Sequence, residues 1–447
     1  MPNIITIKKG LTLNLKGKAE EVELAAPARG TSYALSPDDY IGFVPKVIVQ
    51  PGDRVQAGDA LMYHKQIPEL KLTSPVSGEV VAVHRGAKRK VLSVEVKPDT
   101  TIEYKHFDTA GVKGMERSKV LSLLLESGMF SFFKQRRLAN PNAEPRDIFV
   151  TANFTAPLAP KFSYLVQGRE DELQLALDAL TKLTTGKVYV GVGAGELTGL
   201  QGVERVEVRG PHPAGLVGVL INHTAPINKE ETVWTLKASD LLVIGRFLKT
   251  GKVDYSRTIA LTGSEAKETG YVKVLPGARF EEALAGRLGK KGAHERIIEG
   301  DVFTGIKVDE EHERMSLGID QITIIPEGDD VHELFGWALP RLKEYSRSRS
   351  YFSWLMPKKE YTLDARVKGG RRAMIMSGEY DRVFPMDIYP EFLLKSIIAF
   401  NINDMEARGI YEVAPEDFSV CEFVDTSKIP LQQIVRQGLD ELYKEMN

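Results

Sequence analysis

The stretch KVYVGVGAGELTG, residues 187–199, has the pattern of a strand that breaks into a glycine-rich turn. Such a turn binds a dinucleotide when its glycines are spaced G-x-G-x-x-G and open a helix. Here the glycines are Gly191, Gly193 and Gly195, so the third comes one residue early, and Glu196 follows where a phosphate would approach. Further glycines interrupt the residues after it, so no packed helix is expected. We therefore predict a structural turn that keeps the outline of a nucleotide site without its ligand.

The sequence around this turn predicts an α/β region. Strands are predicted for RDIFVTA, KVYVGVG and RVEVRG. In EDELQLALDALTKL the residues Leu173, Leu177 and Leu180 recur at helical spacing, which indicates an amphipathic helix. SDLLVIGRFLKTG predicts a second helix that ends near Gly251. Alternating strands and helices favour a parallel sheet with right-handed crossovers.

Composition narrows the class of protein. With 447 residues, the chain is too long for a single hydrophobic core. At roughly 100–200 residues per domain, two to four domains are expected. A net charge of −2 gives no global field for nucleic acid. The single cysteine, Cys421, excludes internal disulfides and any iron–sulfur cluster held by four thiolates of this chain. No secretory signal is predicted, and the apolar runs fall short of the ~20 residues that cross a bilayer, so we expect a soluble or peripheral protein.

The first 105 residues read as short strands between tight turns. The segment SPVSGEV, residues 74–80, resembles the turn of lipoyl and biotinyl carrier domains, which are barrel-sandwich hybrids. A carrier needs a lysine at a hairpin tip, and the candidates are Lys65 and Lys71. Neither has the usual carrier context, so we predict a docking module without a prosthetic arm. A lipoyl-type carrier or binding protein stays an alternative.

Two stretches combine aromatic and basic residues. In GMFSFFKQRR, flat apolar rings backed by cations are candidates for contact with a quinone head group. The candidate residues are Phe130, Phe132, Phe133, Arg136 and Arg137. Residues 341–372 hold ten Lys or Arg against three Asp or Glu, a net charge of +7, together with several aromatic residues. An anionic bilayer, a nucleic acid, an acidic protein partner or plain solvent all suit that second stretch.

Six segments, some of which overlap stretches quoted above, together resemble one family. They are MPNIITIKKGLTL, TSPVSGEVVAVHRGAKRKVLSV, RDIFVTANFTAPLAP, RGPHPAGLVGVLINH, VWTLKASDLLVIG and RAMIMSGEYDRVFPMDI. In this order, over nearly the whole chain, they resemble the A subunit of the bacterial sodium-translocating NADH:quinone oxidoreductases.

The resemblance implies an α/β and α+β fold of four domains. Residues 1–105 would form the lipoyl-like barrel-sandwich hybrid, and residues 106–256 a Rossmann-like α/β domain related to the flavin subunit of respiratory complex I. Residues 257–330 would form a β-grasp domain of the soluble-ligand-binding type. Residues 331–447 would form a helical domain that resembles an iron–sulfur domain without its cluster.

The resemblance also implies a role. The chain would be a peripheral subunit on the cytoplasmic face of the inner membrane, bound to membrane and peripheral subunits of the same complex. That complex is expected to use NADH, flavins, an iron–sulfur centre and quinone. The subunit itself is expected to hold no cofactor, metal or catalytic residue and no nucleic acid. The alternative is the electron-input subunit of the related ferredoxin-linked complex, which carries flavin and several cysteines that this chain lacks.

Overall fold

The computed structural model describes residues 3–135, 137–289, 294–331 and 341–446. Its strands form four sheets, joined by an N-terminal segment that contributes to two of them. That segment contains the strands β1 (Asn3–Thr6) and β2 (Glu23–Leu24). Neither strand joins the barrel-like unit that follows in sequence, because their partners lie far along the chain.

The next unit, which we call the barrel-like unit, comprises residues 33–98, whose strands form two antiparallel sheets that pack face to face. Its strands are β3 (Tyr33–Leu35), β4 (Pro45–Val47), β5 (Arg54–Val55), β6 (Ala60–His64), β7 (Ile67–Thr73), β8 (Gly78–Arg85) and β9 (Val91–Pro98). The sheets have the orders β3-β9-β8-β5 and β4-β6-β7. The predicted turns form at Gly52 and Gly58, which both adopt positive φ, as glycine does readily. Lys65 lies in the turn between β6 and β7, and Lys71 lies within β7.

A five-stranded parallel sheet forms the centre of the molecule. Its other strands are β10 (Asp147–Thr151), β11 (Val188–Val192), β12 (Glu204–Arg209) and β13 (Val233–Lys237), in the order β1-β12-β11-β10-β13. The helices around it are α1 (Arg117–Glu126), α2 (Phe162–Val166), α3 (Glu170–Leu180), α4 (Val217–Thr224) and α5 (Ala238–Thr250). These strands and helices confirm the predicted parallel α/β region.

Both faces of the parallel sheet are buried, which is typical of such sheets. On β10, Ile148 and Val150 face the core that contains α3 and α5, while Phe149 faces the core of α4 and the C-terminal helices. Helix α1 is followed by Gly128 with φ +79°, and α5 is capped by Gly251 with φ +67°. The sequence predicts that Gly251 ends its helix, and both glycines adopt the left-handed conformation.

The third unit is a mixed sheet that includes one short α-helix among its described residues. It contains β14 (Arg257–Thr262), β15 (Gly270–Val274), α6 (Phe280–Ala283), β16 (Glu295–Glu299), β17 (Ile306–Lys307) and β18 (Gln321–Pro326). The strand order is β17-β16-β18-β14-β15-β2, so β2 closes one edge by pairing in parallel with β15. Helix α6 covers the first four residues of the stretch FEEALAGRL.

Within its described residues, 341–446, the C-terminal region has α-helices only in the last part. Its helices are α7 (Pro390–Ile398), α8 (Ile402–Ala407), α9 (Ser419–Val424) and α10 (Leu431–Met446). Residues 341–389 contain 3-10 turns at 352–355 and 380–382 but no α-helix or strand. The prediction of a mostly helical tail therefore fits residues 390–446 and not the described residues before them. Across the described ranges, no helix is both long and apolar enough to cross a membrane.

Candidate functional site

The carboxyl edge of the parallel sheet is the place where a ligand is expected. The chain passes from β10 outward to β11 and β12, then returns to the other side of β10 to form β13. In open parallel sheets, ligands bind beyond the carboxyl ends of the strands, at the point where the strand order reverses. Here that point lies between β10 and β13.

The glycine turn after β11 is closed by its own hydrogen bonds. The amide of Glu196 donates to the carbonyl of Gly193 at 3.2 Å, and Arg205 Nε donates to the carbonyl of Glu196 at 2.8 Å. The Glu196 carboxylate lies against Gly193, where a Cβ would be 2.8 Å from Oε2. The chain then continues to β12 without a helix, as predicted. The dipole that would stabilise a phosphate is therefore missing from this turn.

A second carboxylate, that of Glu207, accepts a hydrogen bond from the same turn. The amide of Gly195 donates to Glu207 Oε2 at 3.3 Å, so an amide that could face a phosphate already has an anionic partner. Glu207 is buried between Arg205 and Arg209. The hydrogen bonds from Arg209 and Gly195 hold the pKa of Glu207 below its usual value. The sequence prediction missed Glu207, although the alternation in RVEVR places it between two cations on one face of a strand.

A polar crevice of about 500 Å³ opens above this edge. Its walls come from the loop after β10 and from the N-terminal segment around residues 11–15. The charged residues that line it are Lys18, Lys161, Glu196 and Glu360. The crevice is lined by both positive and negative side chains, and Lys161 is already paired with Glu21. It therefore lacks the cluster of free positive charges that would bind a phosphate.

The carboxyl end of β13 is occupied by a buried network of charges. Lys237 Nζ contacts Asp320 at 2.7 Å, and Arg257 contacts Asp240 at 2.7 Å and Asp320 at 3.5 Å. Burial alone would raise the pKa of Asp320, but Lys237 and Arg257 outweigh it and lower that pKa. Arg257 and Asp320 belong to the third unit, so that unit docks where the strand order reverses.

The three predicted quinone-contact rings lie in the core. Phe130 and Phe133 are fully buried and stack at 4.8 Å, and both meet Trp234 edge to face. Phe132 is also buried and lies near Tyr255 and the guanidinium of Arg257. The structure thus brings these rings together as packing residues. Arg136 lies outside the described residues.

Polar residues of the same stretch line a second cavity, of about 350 Å³. They are Ser131, Lys134, Gln135 and Arg137. Arg137 is a quarter exposed, contacts Asp440 at 3.2 Å and stacks over Tyr443 at 4.4 Å. The opposite walls come from α4, from β13 and from the start of α10. Of the predicted quinone contacts that the structure describes, Arg137 lines this cavity.

The described residues offer no set of ligands for a metal. No group of three or more His, Cys, Asp or Glu within them is arranged to hold a metal ion. Cys421 is fully buried, and this burial raises the pKa of its thiol. A neutral, enclosed thiol is a poor metal ligand.

Three family models match successive parts of the chain. The NqrA N-terminal barrel-sandwich hybrid domain matches residues 5–99, which confirms the barrel-sandwich prediction. The NqrA second alpha/beta domain matches residues 115–253, and the NQRA C-terminal domain matches residues 258–310.

Curated relatives match over their full length. The A subunit of the Na(+)-translocating NADH-quinone reductase of Neisseria meningitidis serogroup A is 33% identical over 450 residues, covering 99% of this chain and all of the relative. The chain belongs to this NqrA family. The NqrA proteins of Serratia proteamaculans and Rhodopirellula baltica are also 33% identical, with at least 99% of each chain covered. The similarity to NqrA proteins therefore extends over 99% of this chain.

Two solved structures resemble this NqrA chain weakly. An NAD+-reducing [NiFe]-hydrogenase in the H2-reduced state matches with a TM-score of 0.37 and 10% identity, over 74% of this chain and 61% of that chain. The air-oxidised state of such a hydrogenase gives a TM-score of 0.31 at 11% identity, over 51% and 52% of the two chains. A likeness at this level has no bearing on function.

Proposed function

We propose that this chain is the peripheral NqrA component of a sodium-translocating NADH:quinone reductase and that its role is assembly. The observation that carries the proposal is the full-length match to curated NqrA proteins. A translocase must provide a path for sodium across the bilayer, which other subunits would supply. The chain would lie on the cytoplasmic face of the inner membrane and bind membrane and peripheral subunits of the complex.

We further propose that the chain holds no cofactor, and that flavins and an iron–sulfur centre belong to its partners. The glycine turn closed by Glu196 and Glu207 supports this, as does the single buried thiol. The predicted outcome is a colourless purified chain. Stoichiometric FMN released by denaturation of gently purified protein would contradict it and would favour the electron-input alternative.

The domain assignment is part of the same proposal. We propose a barrel-sandwich hybrid up to residue 105, a Rossmann-like domain to 256, a β-grasp domain to 330 and a helical domain beyond. The strand order of the parallel sheet and the mixed sheet around α6 support the middle two assignments.

Affinity isolation tests the assembly role. The tagged full chain is used as bait in detergent-solubilised membranes of the organism that produces it, with an untagged preparation as control. Recovery of integral membrane proteins that carry covalent or tightly bound flavin supports the proposal. If the tagged chain is isolated alone from membranes that retain NADH:quinone reductase activity, the proposal fails.

A quinone contact is a narrower proposal at the cavity beside Arg137. In the assembled enzyme, Arg137→Ala is expected to raise the quinone KM without loss of assembly, because this side chain lines the cavity. The matched control is Arg54→Ala, which removes an exposed cation from the barrel-like unit. Phe132→Ala is less suitable, since that ring is buried and its loss would also destabilise the fold. An unchanged KM with normal assembly removes the quinone proposal and leaves the assembly role intact.

A further inference from the structure

Residues 341–372 form a surface on which basic and large apolar side chains alternate; we call it the basic–aromatic surface. Its exposed cations are Lys343, Arg349, Lys358, Lys368, Arg371 and Arg372. Its exposed large apolar side chains are Leu342, Phe352, Trp354, Leu355 and Val367. The two kinds of residue are neighbours in sequence at Leu342-Lys343 and Val367-Lys368.

The exposure of these apolar groups is high for a folded chain. Trp354 is 51% exposed, Leu342 57% and Leu355 59%. Single exposed apolar side chains are normal, but several that lie together on one surface mark a place of interaction. The short 3-10 turn at residues 352–355 produces this arrangement, because it buries Ser353 and turns its neighbours outward.

Contacts within the segment bring its separate parts together. Lys359 Nζ donates to the carbonyl of Leu342 at 2.7 Å, and Lys368 pairs with Glu344 at 2.7 Å. The guanidinium of Arg349 lies 5.6 Å from the ring centre of Trp354. The parts around residues 342, 359 and 368 are thus adjacent, although they are separated in sequence.

The segment keeps a net positive charge although it contains three acidic residues. Glu344 and Asp364 are both engaged by basic residues of the segment itself, and Glu360 is the remaining carboxylate among the three. The net charge of +7 already counts these pairs, and the six exposed cations carry the positive charge at the surface. The whole chain carries a net charge of −2, so this positive field is local.

The composition fits a lipid surface better than a protein partner. The cores of protein interfaces are depleted in lysine, whereas lysine and arginine near a membrane are attracted to anionic headgroups. Tryptophan and aliphatic side chains enter the headgroup and acyl boundary, while neighbouring cations remain with the phosphates. Residues 341–372 place both kinds of group side by side without an α-helix.

We propose that the basic–aromatic surface binds anionic phospholipid headgroups directly, with Trp354 and Leu355 inserted at the edge of the bilayer. This contact is additional to any attachment through other subunits. It would orient the chain by holding residues 341–372 against the membrane.

Vesicle binding of the purified full chain tests this. The probes are vesicles of phosphatidylcholine alone and vesicles of phosphatidylcholine mixed with phosphatidylglycerol. Co-sedimentation is expected only with the anionic vesicles and should weaken as salt rises. In a Trp337→Phe background, Trp354 emission should shift to the blue on binding. The shift should be lost when Trp354→Phe is added, since Trp234 is already buried.

A matched pair of double variants separates this surface from general electrostatics. Arg349→Glu with Lys358→Glu should weaken binding at least about tenfold. Arg54→Glu with Lys90→Glu changes the same number of charges at exposed positions of the barrel-like unit and should leave binding unchanged. Circular dichroism and thermal unfolding of each variant establish that it is folded.

Three results would overturn the proposal. The first is no binding to anionic vesicles at low salt. The second is equal loss of binding in both double variants. The third is binding of single-stranded nucleic acid, or of an acidic protein, that the first double variant abolishes while vesicle binding persists. The other components of the complex are absent from the vesicle experiment, so its failure leaves the proposed NqrA role untouched.

Discussion

At the scale of single residues, Arg257 is a side chain whose loss should be especially costly. It is only 4% exposed and contacts the carboxylates of Asp240 and Asp320. Arg257→Met would leave two buried carboxylates with one cation, Lys237, between them. We expect the free energy of unfolding to fall by about 3–5 kcal/mol, measured by urea titration.

An exposed ion pair provides the comparison. Arg54 contacts Asp99 at 2.7 Å, but its side chain is 66% exposed. Arg54→Met should therefore change stability by less than about 1 kcal/mol. If both variants lose the same amount, the network at the end of β13 has no special role in joining the third unit to the parallel sheet.

His212 gives the fold a predictable pH dependence. It is buried, its Nδ1 lies 3.1 Å from Thr155 Oγ1, and burial lowers its pKa to about 4 despite the opposing charge of Asp301. Between pH 4 and the unfolded value of 6.5, the unfolded chain binds this proton and the folded chain does not. Stability should therefore fall as pH drops through this window, by at most about 1.4 kcal/mol per pH unit.

Substitution isolates that contribution. Urea titrations at several pH values should show a smaller slope between pH 6.5 and 4 in His212→Gln than in the parent chain. An identical slope in both chains would mean that other groups govern acid stability.

The residue scale also shows what a sequence can and cannot predict about the glycine turn. Glu196 was identified because it stands inside the glycine pattern itself. Glu207 was not, because its partner Gly195 belongs to the neighbouring strand connection. The aromatic–basic sequence pattern around Phe130 and Phe133 fits rings that face a cavity as well as rings in the core. Their packing against Trp234 shows that they lie in the core.

At the scale of elements, the contact between α3 and α5 depends on one glycine. A Cβ on Gly245 would lie 1.9 Å from the carbonyl oxygen of Glu172, so the two helices approach through this position. Gly245→Ala should destabilise the protein by about 1–3 kcal/mol, although alanine is the better helix former. Thermal unfolding measures the change.

Gly199→Ala is the matched control. Nothing lies within 4 Å of a Cβ at Gly199, and its φ is not positive. The control should leave the unfolding temperature nearly unchanged. If Gly245→Ala is equally neutral, the helices can separate without loss and the close contact is not required.

The elements that were predicted correctly have strong local patterns. Helices α3 and α5 have regular apolar spacing and clear ends, and β10, β11 and β12 are short apolar runs between turns. The two-residue strand β2 has no such pattern, because it exists only through its pairing with Tyr271 and Val272. Elements with a strong local pattern can therefore be predicted from the sequence. Elements that form only by pairing with a distant segment cannot.

At the scale of the whole molecule, the N-terminal segment fastens the units together. Its amides and carbonyls pair with Arg209, His212, Tyr361 and Gly263 in turn. Deletion of residues 3–10 would remove β1 and expose an edge of the parallel sheet. We expect faster cleavage in limited proteolysis, both near β12 and in the C-terminal helices that share its core.

The control for this deletion changes exposed residues of the same segment. Lys8→Ala with Lys9→Ala leaves the backbone pairing intact and should retain the parent cleavage pattern. If the deletion is cleaved no faster than this double variant, β1 is not needed to hold the sheet. No local pattern in the first residues could have predicted this role, since these partners all lie beyond residue 200.

The pairing of β1 with β12 has a consequence for biosynthesis. Asn3–Thr6 is synthesised well before its partner β12, which is complete only when Arg209 has been added. At about 5–20 residues per second, the nascent strand waits roughly 10–40 s with Ile4 and Ile5 unpaired. Lys8 and Lys9 follow one residue after the strand, and their charges would disfavour association between neighbouring nascent chains on one messenger.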